Sequence, residues 1–141
     1  MEAVFKTTRR VQFHETDAAE IVHFSTFFTY MEEAEHEMLR QCGLRIFHET
    51  ENGTISWPRV SAACDFRNPL RFEDIVEIEV RIVELTRRSI TYGFLFTLNG
   101  RRIAEGRMTS VCCRMTETGP RAIEIPEWIA EKLPPVSPCP N

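Results

Sequence analysis

The sequence predicts an α+β fold in which an antiparallel β-sheet wraps around one long central helix. Two observations carry this expectation. In one stretch only, Phe24 to Cys42, apolar residues recur at three- and four-residue steps and form a single broad stripe over about five helical turns. After it comes a succession of alternating apolar and polar segments, with an Asn99-Gly100 hairpin signal among them. A helix stripe and one sheet face can each bury the other, so the two patterns satisfy one another within one layered domain.

The first strand is expected from Phe5 to Phe13, where Phe5, Val11 and Phe13 share one parity and Lys6, Arg10 and Gln12 the other. The chain then turns past Asp17 and enters the helix, whose stripe is Phe24, Phe27, Phe28, Met31, Ala34, Met38, Leu39 and Cys42. Ser25 or Thr26 suits the N-cap and Gly43 the stop, and Glu33, Glu37 and Arg40 fall on the solvated face. Leu44 to Gly53 is polar, with a short helical turn expected around Ile46 and Phe47.

Trp57 to Phe66 is the second strand, with Val60, Ala62, Cys64 and Phe66 on one parity and Asn68-Pro69 closing it. From Ile75 to Leu85 the alternation is sharp until Val83 and Leu85 reverse its phase, which predicts a bulge. Ser89 to Leu98 and Arg101 to Met115 are the arms of the Asn99-Gly100 hairpin. Ala122 to Ile125 adds an edge, Pro126 opens a short helix through Leu133, and the proline-rich end is expected to be loose. One domain, residues 1–133, is therefore followed by a flexible tail, 134–141.

With 141 residues, 17 basic against 21 acidic side chains and a net charge of -4, nothing global attracts a polyanion, and nucleic acid is not an expected partner. No stretch approaches the roughly 20 apolar residues that span a bilayer, so no membrane partner and a cytoplasmic location are expected. The five cysteines, Cys42, Cys64, Cys112, Cys113 and Cys139, are odd in number and lack a C-x-x-C pair, and they are read as reduced thiols. Motifs for nucleotide hydrolysis, dinucleotide redox and zinc peptidases are missing, and neither metal nor cofactor is indicated.

Chemistry concentrates between strand and helix, in Glu15-Thr16-Asp17-Ala18-Ala19-Glu20-Ile21-Val22 and the helix segment Tyr30-Met31-Glu32-Glu33-Ala34-Glu35. Together with Pro69-Leu70-Arg71-Phe72-Glu73-Asp74 and Glu84-Leu85-Thr86-Arg87-Arg88-Ser89, these segments resemble the hotdog-fold acyl-CoA thioesterases of the 4-hydroxybenzoyl-CoA thioesterase type, up to about Met115. The resemblance implies a hotdog fold, hydrolysis of an acyl- or aroyl-CoA to free acid and coenzyme A, and a homodimer or homotetramer with sites between subunits. Coenzyme A is then part of the substrate rather than a cofactor.

Carried over by position, the family's catalytic aspartate falls on Asp17 and its oxyanion-binding backbone N–H on Phe24. The basic residues that meet coenzyme A phosphates fall on Arg87 and Arg88, with Ser89 beside them, and Val22 and Phe27 are further candidates for substrate binding. Glu20 stands where the family has glycine, which leaves the loop's geometry open. His23 adjoins the position where the family often has tyrosine or histidine and is the candidate proton shuttle.

Thioester hydrolysis needs a nucleophile, or a base for water, and donors aimed at the oxygen that becomes negative. Asp17 supplies the first by direct attack or by activating water, and unpaired N–H groups at a helix start supply the second. Glu15 and Glu20 are expected as exposed loop carboxylates, and Glu35 is the reserve catalytic carboxylate. A non-catalytic acyl-CoA-binding hotdog protein and a hotdog dehydratase using His14 or His23 remain as alternatives.

Overall fold

In the computed structural model, which describes residues 2–138, β1 (Phe5–Arg10) leads through a 3-10 turn at Phe13–Glu15 and the Asp17 loop into α1 (Thr26–Gln41). There follow β2 (His48–Thr50), β3 (Gly53–Ser56), β4 (Arg59–Phe66), β5 (Ile75–Leu85), β6 (Ser89–Leu98), β7 (Arg101–Val111), β8 (Cys113–Thr116), β9 (Gly119–Ala122) and the short helix α2 (Glu127–Ala130). Five strands form the main sheet in the order β1-β5-β6-β7-β4, every pair antiparallel. A smaller sheet, β2-β3-β8-β9, completes the domain.

The sheet and helix bury one another as their periodicities require. Val76, Ile78, Val80 and Ile82 of β5 and Ile90, Tyr92, Phe94 and Phe96 of β6 turn inward against Phe27, Tyr30, Met31, Ala34 and Met38 of α1. Each such aliphatic or aromatic side chain contributes about 1.5–3 kcal/mol when fully removed from water. At β7 the Met31 side chain fills the space over Gly106: a Cβ built there would overlap Met31 Sδ, so a side chain at this position must displace Met31.

The predicted bulge lies between Ile82 and Glu84. Asn99 and Gly100 adopt φ of 51° and 81°, as the hairpin requires, and Gly43 ends α1 at φ 76°.

Other elements differ from the sequence pattern. Phe13 leaves the sheet in the 3-10 turn and is exposed, because β1 stops at Arg10. Leu44–Gly53 holds no helical turn but the first arm of the β2–β3 hairpin. The strand expected from Arg101 to Met115 breaks at Cys112, whose N–H donates to Arg88 O, and the remainder joins the second sheet as β8. The last edge strand is Gly119–Ala122 rather than Ala122–Ile125.

Part of the proline-rich end, expected to be loose, makes contacts with the sheet. Pro134 is buried, the Ser137 N–H donates to Ile82 O at 2.8 Å, and Arg81 reaches Pro138 O at 3.4 Å. The acceptor is the residue that precedes the β5 bulge, beyond the last β1 partner at Val80. Residues 139–141 of the tail lie outside the described residues.

Gly106→Ala is expected to lower unfolding stability by about 1–3 kcal/mol, read from urea denaturation, because the added methyl group must displace Met31 or lift the helix.

Candidate active site

The loop between the 3-10 turn and α1 is a short hairpin of its own. Thr16 bridges Val22, the Asp17 N–H donates to Ile21 O at 2.8 Å, and the Glu20 N–H donates to Asp17 O at 2.9 Å. Asp17 Oδ1 accepts the Ala19 N–H at 2.8 Å, an Asx-type turn that fixes the half-buried carboxylate. Its Oδ2 bonds to nothing among the described residues. Glu20 takes φ 65°, so the chain makes a glycine-type turn with a side chain in the left-handed region. That settles the geometry the sequence left open: the turn is kept, at a steric cost of about 1–2 kcal/mol.

Hydrogen bonds occupy nearly every N–H from Val22 to Phe28. Val22 donates to Leu70 O, His23 to Glu15 O, Ser25 to His23 Nδ1, Thr26 to His23 O, Phe27 to Phe24 O and Phe28 to Ser25 O. The Phe24 N–H is the exception in this segment and donates to no atom of the described chain. It lies just before α1, where N–H groups have no helical partner and the helix dipole is positive.

His23 is exposed, holds Ser25 Oγ at 2.7 Å through Nδ1, and stacks on Phe24 with ring centroids 4.6 Å apart. No hydrogen bond joins it to Asp17. Val22 and Phe27 are buried, so their side chains belong to the core, and Phe27 meets Phe66 and Phe96 edge-on at 5.2 and 5.3 Å. The rings left open beside the Phe24 N–H are Phe24 itself, 60% exposed, and Phe66, 47% exposed, 6.5 Å apart. Phe66 was legible in the sequence only as a strand residue, since its approach to the helix start is a long-range contact.

Arg87, Arg88 and Ser89 form the corner between β5 and β6, closed by Thr86, whose Oγ1 accepts the Arg88 and Ser89 N–H groups. Arg87 pairs with Glu124, whose carboxyl is held below its usual range by that hydrogen bond and by the arginine's charge. Arg88 has no ion-pair partner among the described residues. The corner lies far from Asp17 in the same chain: β5 starts opposite Arg10, beside the Asp17 loop, and its 11 residues span roughly 35 Å before the turn.

Glu15, expected in solvent, and Glu35, the reserve catalytic carboxylate, are both buried. Glu15 is 6% exposed: Oε1 accepts the Gln12 N–H at 2.7 Å and the Tyr30 hydroxyl at 2.8 Å, and Oε2 accepts Arg9 Nη2 at 2.8 Å. Burial and this hydrogen bond to Glu15 push the Tyr30 hydroxyl's pKa up, so it remains a donor. Glu35, 3% exposed, pairs with both terminal nitrogens of Arg59 at 2.7 and 3.2 Å. A carboxylate engaged on both oxygens is not poised as a base, which removes Glu35 as reserve catalyst. Glu20 is exposed, as expected.

Two residues from the solvated face also have partners: Glu33 accepts Arg9 Nε at 2.9 Å, and Glu37 accepts the Thr7 hydroxyl at 2.9 Å. Cys64, Cys112 and Cys113 are free thiols, and burial raises the pKa of Cys64 and Cys112 to about 11. Cys139 lies outside the described residues. Among those described, no helix is long and apolar enough to cross a membrane.

A sheet wrapped around one helix, with an aspartate loop feeding the helix start and an unspent N–H there, defines a hotdog protein of the thioesterase class. Residues 11–133 match the model of the Thioesterase-like superfamily, and the chain belongs to that family. A protein of Aquifex aeolicus (strain VF5), named provisionally as an esterase, is 34% identical over 125 residues, 89% of this chain and 94% of that one. A 1,4-dihydroxy-2-naphthoyl-CoA hydrolase of Prochlorococcus marinus (strain NATL2A) is 32% identical over 110 residues, 73% of this chain and 71% of its own. The solved gentisyl-coenzyme A thioesterase BH1999 superposes with a TM-score of 0.79 at 32% identity, covering 91% of this chain and 98% of the other.

Glu20→Gly is expected to raise unfolding stability by about 1 kcal/mol, measured by urea or thermal denaturation, since the backbone is already in glycine's region.

Proposed function

We propose that this protein hydrolyses the thioester of an aroyl- or acyl-CoA to the free acid and coenzyme A, as a cytoplasmic enzyme with no further cofactor. One observation carries the proposal: the Phe24 N–H has no partner at the start of α1, on a segment hydrogen-bonded to the same hairpin that fixes Asp17.

The substrate carbonyl oxygen accepts the Phe24 N–H, and the positive end of α1 favours the charge that develops there. Asp17 supplies the attacking oxygen through its unengaged Oδ2 or removes a proton from an attacking water. In the first route a C–O bond forms, the C–S bond breaks, the thiolate leaves and takes up a proton, and water then cleaves the mixed anhydride. In the second, water adds directly and the thiolate leaves with a proton. Single-turnover hydrolysis in oxygen-labelled water separates them, because only the anhydride route puts label into Asp17.

An aromatic acyl group suits the site best. Phe24 and Phe66 present open rings near the N–H, and two relatives are named for action on gentisyl-CoA and 1,4-dihydroxy-2-naphthoyl-CoA. Arg87, Arg88 and Ser89 are the coenzyme A handle in this proposal, Arg88 being the arginine without an ion-pair partner. Because this corner and Asp17 lie at opposite ends of β5, a substrate that uses both draws them from two protomers of a homodimer or homotetramer. The outer edge of β4, with Val60 and Phe66 exposed, is the surface for strand-to-strand pairing with a second copy.

Glu20 in place of the family's glycine would favour non-catalytic binding by disturbing the loop, yet at φ 65° it adopts the left-handed backbone that glycine favours. Dehydration would need a histidine poised with a carboxylate, and no such contact joins His14 or His23 to one among the described residues.

Asp17→Asn is expected to cut thiol release from an aroyl-CoA at least 100-fold while the substrate still binds. An undiminished rate would remove Asp17 from the chemistry, and a wild type that binds the panel without releasing thiol would remove the hydrolase function. Arg88→Ala is expected to raise KM about tenfold with little change in kcat, and the effect should shrink as salt is added.

A further inference from the structure

Glu15 is held far more firmly than a turn residue needs. It sits in a one-turn 3-10 segment, yet its carboxylate is 6% exposed and takes donors from three separate elements: the Gln12 N–H of its own turn, Arg9 of β1 and Tyr30 of α1. Arg9 is itself fixed from the other side by Glu33 at 2.9 Å and lies over the Tyr30 ring, 5.1 Å from its centroid. Removing such a carboxylate from water costs several kcal/mol, and pairs of this kind are often replaceable by apolar residues without loss of stability. Stability alone therefore does not account for it.

Its backbone points to the use. The Glu15 carbonyl accepts the His23 N–H at 2.9 Å and lies 3.4 Å from Thr26 Oγ1, one residue on either side of the Phe24–Ser25 pair that starts the helix. In the other direction, Asp17 follows Glu15 by two residues and is tied back to Ile21. Both groups assigned to the chemistry are thus measured from one residue: Asp17 along the chain and Phe24 through the hydrogen bond of its neighbour.

We infer that Glu15 is the positioning residue of the active site, its buried carboxylate locking β1, the 3-10 turn and α1 together so that the distance between Asp17 and the Phe24 N–H is fixed before substrate arrives. The role rests on the hydrolase function proposed above. Errors of about 1 Å in such a spacing are costly in rate and nearly silent in binding. Tyr30 and Arg9 are the arms through which the lock acts, and neither needs to touch substrate.

The test compares Glu15→Gln, Tyr30→Phe and Glu15→Asp with wild type in two independent ways. In steady-state thiol release from benzoyl-CoA, Glu15→Gln should lower kcat about 10- to 100-fold and Tyr30→Phe about threefold to tenfold. Affinity for the non-hydrolysable benzyl-CoA thioether should stay within twofold, and Glu15→Asp should restore part of kcat. In ligand-free 15N–1H spectra, the His23 and Phe24 amides should shift and His23 should lose hydrogen-exchange protection in Glu15→Gln, while amides in β6 keep theirs.

Parallel losses in kcat and thioether affinity, or unchanged His23 and Phe24 amides in folded Glu15→Gln, would overturn the positioning role. Tyr30→Phe removes one hydroxyl and keeps the ring, so it decides the matter should Glu15→Gln fail to fold. If wild type releases no thiol, the hydrolase function falls and the amide spectra alone decide whether Glu15 sets this geometry.

Discussion

The burial of α1 against the inner face of the five-stranded sheet is the constraint to which the rest of the molecule answers. The helix packs onto the sheet through side chains such as Met31, whose thioether occupies the space that Gly106 of β7 leaves open. With the helix axis fixed there, its first turn must emerge beside the end of β1, and the connection between them has little freedom. The Asp17 hairpin fills that connection. Its position is therefore a consequence of core packing, although none of its own residues does much of the packing.

Burying a helix this fully also traps charge. Tyr30, Glu35 and their neighbours lie where α1 passes from the core to the flanks, and the fold meets the cost of their polar atoms with partners from distant strands: Arg59 of β4 for Glu35 and Arg9 of β1 for Glu15. Arg59–Glu35 binds edge strand β4 to the central helix, and Arg9, paired with Glu15 and Glu33, binds edge strand β1 to the 3-10 turn and the helix. Arg59 keeps its charge despite burial because the hydrogen bonds and charges of Glu35 and Glu32 outweigh the desolvation that opposes it. Such pairs are weak sources of net stability and stronger determinants of geometry, and Arg9–Glu15 acts directly beside the Asp17 loop.

Much of this was open to sequence reasoning wherever the signal was local. The phase reversal at Val83, the Asn99-Gly100 turn and the Gly43 stop each depend on residues within one or two turns of chain, and each is found where the pattern put it. Phe13 misled because parity continues formally past Arg10, while the pairing does not: the Val11 N–H still reaches Asp74 O, but the Val11 carbonyl takes the Glu73 N–H and the chain turns into the 3-10 segment. Glu15 and Glu35 misled for a different reason. Local hydrophilicity argues for exposure, and only a partner 6 or 24 residues away reverses it.

The sequence by itself determined the class of fold and the family, because both are written in short-range periodicity and in the motif around Asp17. Only the tertiary structure decided which N–H at the helix start is left without a partner, how Glu20 serves in a turn made for glycine, and which carboxylates are buried. Those outcomes depend on contacts between residues far apart in the chain, formed when the helix settles on the sheet, and no local pattern records them.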